Sequence, residues 1–193
     1  MKPVYQQPMD GQCVRASICT IFDFPIELGP RVQCDGHTWD PEQKQFICTL
    51  PEHRRVSRWT DNDGKPRENV SYECSSAYQQ EEWIREWAAK YGLRYVEVRM
   101  NTYGGRVGPS ESRALPTGLC IASGGSPRFA GKHAVVWDTR LTDFEHPYGR
   151  MIHDPAPVPE GTRPGILQVD SLHYFEVEDP SLLHKLATLK ENP

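Results

Sequence analysis

An α+β fold, with helices ahead of a mostly antiparallel sheet, is predicted by three features of this 193-residue sequence. Two segments in the first half, at about 12–24 and 76–91, carry apolar residues at helical spacing. Most of the second half consists of short segments in which apolar and polar residues alternate, as they do in half-buried strands. Helices followed by a run of strands are typical of α+β proteins, whereas α/β proteins alternate the two.

Each element has a local signal. The first helix is predicted over Gln12–Phe24, because Pro25 cannot continue it. The second begins near a capping-box pattern at Ser76 and Gln79 and ends at Gly92. The sequence predicts strands at Leu93–Met100, Gly118–Ala122, Lys132–Asp138, Arg150–Asp154 and Leu167–Glu178, and then a terminal helix at Pro180–Leu189.

The segment at about 30–75 differs from the rest of the chain, because it is polar, rich in turns and without helical periodicity. Strands are predicted at Gln45–Cys48 and Val56–Trp59, and Asp61–Gly64 is a turn signal. We therefore predict one domain over residues 1–193, with a β-containing insertion at about 30–75.

Composition excludes several functional classes. The net charge of −4 and pI of about 6.0 lack the basic surplus of nucleic-acid-binding proteins, so nucleic acid is not an expected partner. No apolar run is long enough to cross a membrane, and the N-terminus lacks the apolar core of a signal peptide. The six cysteines are accordingly expected to be thiols in the cytoplasm, or in the host cytoplasm for a phage-encoded protein.

Cys13 is the candidate nucleophile. It lies at the start of the first predicted helix, directly after an Asp-Gly turn. The partial positive charge of a helix N-terminus favours the thiolate, and the free backbone N–H groups there can face an oxyanion. Cys19 lies nearly two turns further along, close to the apolar face, where an inert packed thiol is expected.

His133 and Asp154 are the candidate base and orienting acid. His133 stands near the start of one predicted strand and Asp154 at the end of the next. If residues 140–148 connect these strands as a hairpin, the two side chains become neighbours. A carboxylate there would hold the imidazole in its working tautomer. The alternative, a surface histidine and a turn-capping aspartate before Pro155, is equally compatible with this pattern alone.

The chain order of these residues resembles that of papain-like cysteine peptidases: a cysteine on an N-terminal helix, a histidine on a strand and a polar residue on the next strand. The segment Cys-Val-Arg-Ala-Ser-Ile-Cys-Thr-Ile from Cys13 is similar to the cysteine motif of bacteriocin-leader (double-glycine) peptidases. His-Ala-Val-Val-Trp and Met-Ile-His-Asp-Pro are similar to their histidine and aspartate motifs. The same segments are still more similar to small bacterial and phage proteins of papain-like type. The resemblance covers about 4–28 and 83–157.

The resemblance implies a papain-like fold in which the cysteine-bearing helix packs on the sheet. It also implies a glutamine upstream of the cysteine as an oxyanion-hole donor. Gln7 has the family spacing of six residues, whereas Gln6 shares strand parity with Val4, so both are candidates and Gln6 is slightly favoured. Arg15-Ala16-Ser17 departs from the smaller residues frequent in the family, which affects the expected shape of the substrate pocket.

The expected function is that of a cysteine peptidase, isopeptidase or amidase acting on a peptide or protein, without a cofactor. Acyl transfer by the same triad is one alternative. Another is a non-catalytic papain-like protein, for example a phage protein that engages a host partner through the insertion. The presence of all three catalytic residue types argues against that second alternative.

A third alternative is a zinc-stabilised interaction module. Cys34, His37, Cys48 and His53 have a spacing that could hold zinc in the polar insertion. Their Cys-His-Cys-His order differs from the common zinc-finger signature, so ordinary loop residues are the favoured interpretation.

Overall fold

The computed structural model describes residues 1–5, 12–34, 36–40, 45–72, 77–103, 106–110, 114–128 and 131–191. These residues form a mixed α+β structure, which confirms the predicted fold class. The α-helices in these ranges are α1 (Cys13–Phe22), α2 (Ala77–Ala89) and α3 (Leu183–Glu191). None of them has both the length and the apolar character needed to cross a membrane.

A six-stranded antiparallel sheet forms the centre of the described structure. Its strands are β5 (Leu93–Tyr103), β6 (Arg106–Pro109), β7 (Leu119–Gly125), β8 (Lys132–Asp138), β9 (Arg150–His153) and β10 (Ser171–Val177). The spatial order is β6-β5-β10-β7-β8-β9. The strand that comes last in the sequence therefore lies between β5 and β7, in the interior of the sheet.

The helices cover the sheet with their apolar sides. Ile18 and Cys19 of α1 are fully buried in one core cluster with Ile84 and Trp87 of α2 and with Ile121 of β7. In β8 four consecutive residues are buried, because α1 packs on one face of this strand, where Ala134 joins the same cluster, and a second core cluster that includes Val135 covers the other face. This packing places the first turn of α1 beside β8, which positions the site described below.

The insertion forms two separate hairpins. The first pairs β1 (His37–Asp40) with β2 (Gln45–Cys48). The second pairs β3 (Arg54–Thr60) with β4 (Pro66–Tyr72), and we call it the 54–72 ribbon. Every residue of β3 is exposed, and so is every residue of β4 before Tyr72, so neither face of the ribbon is covered. A two-stranded hairpin is only marginally stable in isolation, so the ribbon depends on how its base is anchored.

Some predicted boundaries were wrong. The first helix ends at Phe22 and not at Phe24, because Asp23 adopts a left-handed conformation with φ of 62°. The last strand begins at Ser171 and not at Leu167, and a short 3-10 turn at Pro180–Leu182 precedes α3. The expected cap at Asp10 lies outside the described residues. The prediction for β8 was correct at both ends.

Candidate active site

Cys13 is the first residue of α1 and is partly exposed. The helix is anchored to the core through its buried stretch Ala16–Thr20, and it packs against β8 and β7. The carbonyl oxygen of Gln12 accepts a 2.9 Å hydrogen bond from the Ala16 N–H, which closes the first turn. The thiol therefore lies at a fixed helix terminus and remains accessible to a reagent.

The N-terminal segment is bound between α1 and the end of β9. The Val4 N–H donates to Thr20 Oγ1 at 2.9 Å, and the Val4 carbonyl accepts from His153 Nε2, also at 2.9 Å. The Tyr5 ring contacts the His153 ring edge-on, with 4.8 Å between centroids. His153 thus binds the N-terminal segment, and it is not the histidine that contacts Asp154. Gln6 and Gln7 follow directly but lie outside the described residues.

His133 and Asp154 are in direct contact. His133 Nε2 lies 2.7 Å from Asp154 Oδ1, and the imidazole side chain is fully buried. The contact arises because β8 and β9 pair antiparallel, with a register irregularity after Val136, and Asp154 follows the last residue of β9. The hairpin predicted from the sequence therefore brings these two side chains together.

The Cys13 thiol lies close enough to the same imidazole to contribute to its raised pKa. Nε2 faces Asp154, so a proton from the thiol would pass to Nδ1. The imidazole is thus close to both a thiol and a carboxylate. A helix near the start of the chain and a hairpin in its second half therefore meet at one point.

The carboxylate of Asp154 accepts hydrogen bonds from several directions. Oδ1 accepts from His133 and, at 3.0 Å, from the Ala156 N–H, and Oδ2 accepts from the Gly165 N–H at 2.6 Å. The Arg128 guanidinium forms an ion pair with Oδ2 at 2.9 Å, and both side chains of this pair are more than nine-tenths buried. Each of these four groups is a donor, and donors around a carboxylate favour its ionised form.

Arg128 also lies close to the histidine, with 3.1 Å between Arg128 Nη2 and His133 Nε2. Both nitrogens are donors here, because Nε2 gives its proton to Asp154. The short distance therefore reflects two donors that share one carboxylate and is not a hydrogen bond between them. Arg128 is a positioning residue, since it acts through its ion pair with the orienting acid.

The pKa shifts follow from these contacts. Burial lowers the pKa of His133, but the hydrogen bonds to Asp154 and Cys13 outweigh this effect and raise it to about 9. For Asp154, burial raises the pKa, and the hydrogen bonds from His133, Gly165 and Arg128 outweigh it and hold the pKa well below its usual range. The site therefore contains an imidazolium and a carboxylate at neutral pH.

Two other cysteines provide a contrast. Cys19 and Cys120 are fully buried, and this burial raises the pKa of each thiol to about 12. No histidine contributes to the raised pKa of either thiol. Both are expected to be inert packed thiols, as the sequence predicted for Cys19.

A second group of reactive side chains lies in the insertion. Cys34, Cys48 and His53 place their ligand atoms within 4.8 Å of one another. These are three of the four residues that the sequence singled out as possible zinc ligands. The side chain of the fourth, His37, lies outside the described part of the structure.

The structure also reveals a residue that sequence reasoning missed. Arg128 lies in a loop between β7 and β8, where nothing in the local pattern distinguishes it from an exposed arginine. Its role depends on a contact with Asp154, 26 residues further along the chain.

A wide depression of about 630 Å³ lies between α2 and the two paired strands β5 and β10. It is lined in part by Glu81, Arg85, Glu97 and Glu176, and none of the three clustered residues lines it. The chemistry of the side chains, and not the size of a cavity, therefore identifies the candidate active site.

No protein-family model matches the chain, and neither the curated proteins nor the solved structures give a significant match.

Proposed function

We propose that this protein is a cysteine hydrolase, a peptidase, isopeptidase or amidase, with a papain-like arrangement of its catalytic residues. The observation that carries the proposal is the contact of the His133 ring with Asp154, together with the nearness of the Cys13 thiol to the same ring, since α1 packs against β8. A buried His–Asp pair alone does not define an active site. A thiol at a helix N-terminus close to the ring gives the pair a chemical use.

In the proposed reaction the Cys13 sulfur attacks a carbonyl carbon of the substrate, and the thiol proton resides on His133. The C–N bond then breaks, the nitrogen leaves with the proton from His133, and an acyl-thioester remains on Cys13. Water, losing a proton to His133, attacks the thioester, releases the acid and regenerates the thiol. Asp154 keeps the imidazole oriented and stabilises the imidazolium in both steps.

The oxyanion that forms at the carbonyl needs donors. The backbone N–H of Cys13 is one candidate, because N–H groups in the first turn of a helix have no intrahelical acceptor. Gln6 or Gln7 is the proposed side-chain donor. The support from the described structure is indirect: Val4 and Tyr5, just before the glutamines, are held against His153, the neighbour of Asp154.

Selective alkylation tests the proposal. Native protein is treated with a limiting amount of iodoacetamide near neutral pH, and each cysteine is quantified by peptide mass spectrometry. Cys13 should react fastest, whereas Cys19 and Cys120 serve as internal controls that stay unmodified until the protein unfolds. His133→Ala should slow the reaction of Cys13 while the pattern of the controls stays the same. A Cys13 that reacts no faster than thiols of the unfolded chain would contradict the proposal.

The same triad would serve an acyltransferase, and the two reactions differ in the second nucleophile. Wild type and Cys13→Ala are incubated with a peptide library, with and without a primary amine. A new carboxyl terminus in the products indicates hydrolysis, whereas an amide of the added amine indicates transfer. Absence of either product together with slow alkylation would favour the non-catalytic binding protein, for which the exposed 54–72 ribbon would provide a recognition surface.

A further inference from the structure

A group of three side chains of the types that bind metals lies in the insertion and shares no residue with the triad. Cys34 Sγ lies 3.3 Å from Cys48 Sγ, and Cys48 Sγ lies 3.4 Å from His53 Nδ1. Cys34 and Cys48 are only 3% and 5% exposed, so the two sulfurs are shielded from solvent. Two thiols and an imidazole directed at one point are the donors that zinc prefers.

The distances fit a shared metal ion better than a covalent link. A disulfide requires about 2.05 Å between sulfurs, which is well below the 3.3 Å found here. In a tetrahedral zinc site the ligand bond lengths imply about 3.8 Å between two sulfurs and about 3.5 Å between sulfur and nitrogen. The distance of 3.4 Å between Cys48 Sγ and His53 Nδ1 agrees closely, and the two sulfurs would have to separate slightly. The third pair, Cys34 Sγ with His53 Nδ1, lies within 4.8 Å, so binding would draw these two atoms towards the metal.

The local backbone is built to hold this group. Gly36 is bound to the end of β2, because its carbonyl accepts from both the Thr49 N–H and the Thr49 hydroxyl, at 2.8 and 3.0 Å. A Cβ at Gly36 would lie 2.5 Å from Leu50 Cγ, so only glycine permits this close approach. The backbone two residues after Cys34 is therefore held beside the end of β2, which carries Cys48.

The register of the first hairpin identifies a fourth ligand. His37 is the direct partner of Cys48 in the pairing of β1 with β2. Residues directly opposite each other in an antiparallel pair belong to the same face of the hairpin. Position 37 is thus the predicted place for the remaining ligand of a four-coordinate site.

Beyond Val32, which is buried in the main core cluster, the described residues of the insertion form only a small core of their own. This small core consists of Cys34 and Cys48, with Leu50, Tyr72 and Trp83 packed against them only partly buried. The 54–72 ribbon starts directly after His53 and ends at Tyr72, and Arg54 pairs with Tyr72 at its base. A metal at this point would join the base of the ribbon to the first hairpin.

We propose that Cys34, Cys48 and His53, with His37 as the fourth ligand, bind one zinc ion that anchors the base of the 54–72 ribbon. Each cysteine loses its thiol proton to solvent when it binds the metal, so zinc binding releases protons. The proposal stands whether or not the triad is catalytic, because the two sites share no residue. It replaces the sequence-based preference for ordinary loop residues at these positions.

Metal content and cobalt substitution test the site. Full-length protein purified with zinc in the medium is expected to contain one zinc per chain by elemental analysis. Replacing zinc by Co²⁺ should produce thiolate-to-cobalt charge-transfer absorption and the intense ligand-field bands of a tetrahedral site. Cys34→Ser and Cys48→Ser should each abolish these signals. Cys120→Ser is the matched control, and Cys13→Ala excludes binding at the triad, so both should retain one equivalent.

Limited trypsin digestion gives a readout that does not require a folded variant. Arg55, Arg58 and Arg67 are exposed in the ribbon strands. Removal of zinc from the wild-type protein by a chelator should accelerate cleavage there, and added zinc should restore resistance. Wild type without a stoichiometric metal, or with cobalt spectra unchanged by both cysteine variants, would overturn the proposal. His37→Ala binding as tightly as His184→Ala would overturn the assignment of the fourth ligand.

Discussion

Replacing Asp154 by asparagine distinguishes this site from one in which an amide could orient the histidine. Every described partner of the carboxylate is a donor: the His133 ring, the Arg128 guanidinium and two backbone N–H groups. An amide has only one acceptor oxygen. If the oxygen of the introduced amide faces His133, its NH₂ group must face the Gly165 N–H and Arg128. The Gly165 N–H then loses its acceptor, and Arg128 keeps only its longer bond, 3.2 Å, to the remaining oxygen.

The expected loss of stability is large. The substitution breaks an ion pair whose two side chains are 7% and 5% exposed and leaves the Arg128 charge buried without its partner. Breaking a buried pair in this way costs about 3–5 kcal/mol. The pKa of His133 should also fall from about 9, because the hydrogen bond to Asp154 is the largest single cause that raises it.

The assay is urea unfolding of wild type, Asp154→Asn and Asp143→Asn at neutral pH. Asp143 is a matched control, because it pairs with His146 and Arg150 at the exposed surface, where an ion pair contributes about 0–1 kcal/mol. If Asp154→Asn loses no more free energy of unfolding than Asp143→Asn, the reasoning about the buried donors is refuted. A second variant, Arg128→Gln in the Asp154→Asn background, should recover part of the loss, because it removes the unpaired charge.

Two further predictions concern stability. Burial lowers the pKa of His173 in the folded state from 6.5 to about 4, so the free energy of unfolding should rise with pH between about 4 and 6.5. The pKa of His133 is instead raised from 6.5 to about 9, so the free energy of unfolding should fall with pH between about 6.5 and 9. Urea unfolding across this range checks both limbs, and His173→Gln should flatten the acid limb alone; a flat profile would contradict the assignment. Gly124→Ala would place a Cβ 1.9 Å from the Gln168 carbonyl oxygen, and we expect a loss of about 2 kcal/mol or more. Gly125→Ala, whose Cβ would lie 3.5 Å from the nearest atom, is the control, and thermal unfolding with equal midpoints for the two variants would disprove the steric argument.

Much of the fold could be predicted because its elements bury one side. β8 was located at both ends, since its apolar run is bounded by Lys132 and Asp138. β4 was missed for the opposite reason: its residues before Tyr72 are exposed on both faces, so no alternation of apolar and polar residues marks it. β6 was also missed, because Gly108 and Pro109 make half of this short edge strand look like a loop.

The site could be predicted as far as its residues follow a chain order. Cys13, His133 and Asp154 were each identified from an element boundary, and the hairpin register that joins the last two was deduced. Arg128 could not be found in this way, because an ion pair between a loop and a strand end depends on the assembled tertiary structure. The geometry of Cys34 with Cys48 was equally inaccessible, since it depends on the approach of a turn to the end of β2.

The position of β10 within the sheet has a consequence for folding. β5 and β6 form one part of the sheet and β7, β8 and β9 another, and β10 is the strand that joins them. All of these strands are synthesised before β10, so during translation the two parts remain unlinked, with edges at β5 and β7 that can pair with other chains. Contacts that close late and over long sequence separations slow folding. Leu172 is fully buried in β10. We expect Leu172→Asp to make the newly synthesised chain aggregate, and not to give a protein that is soluble but less stable.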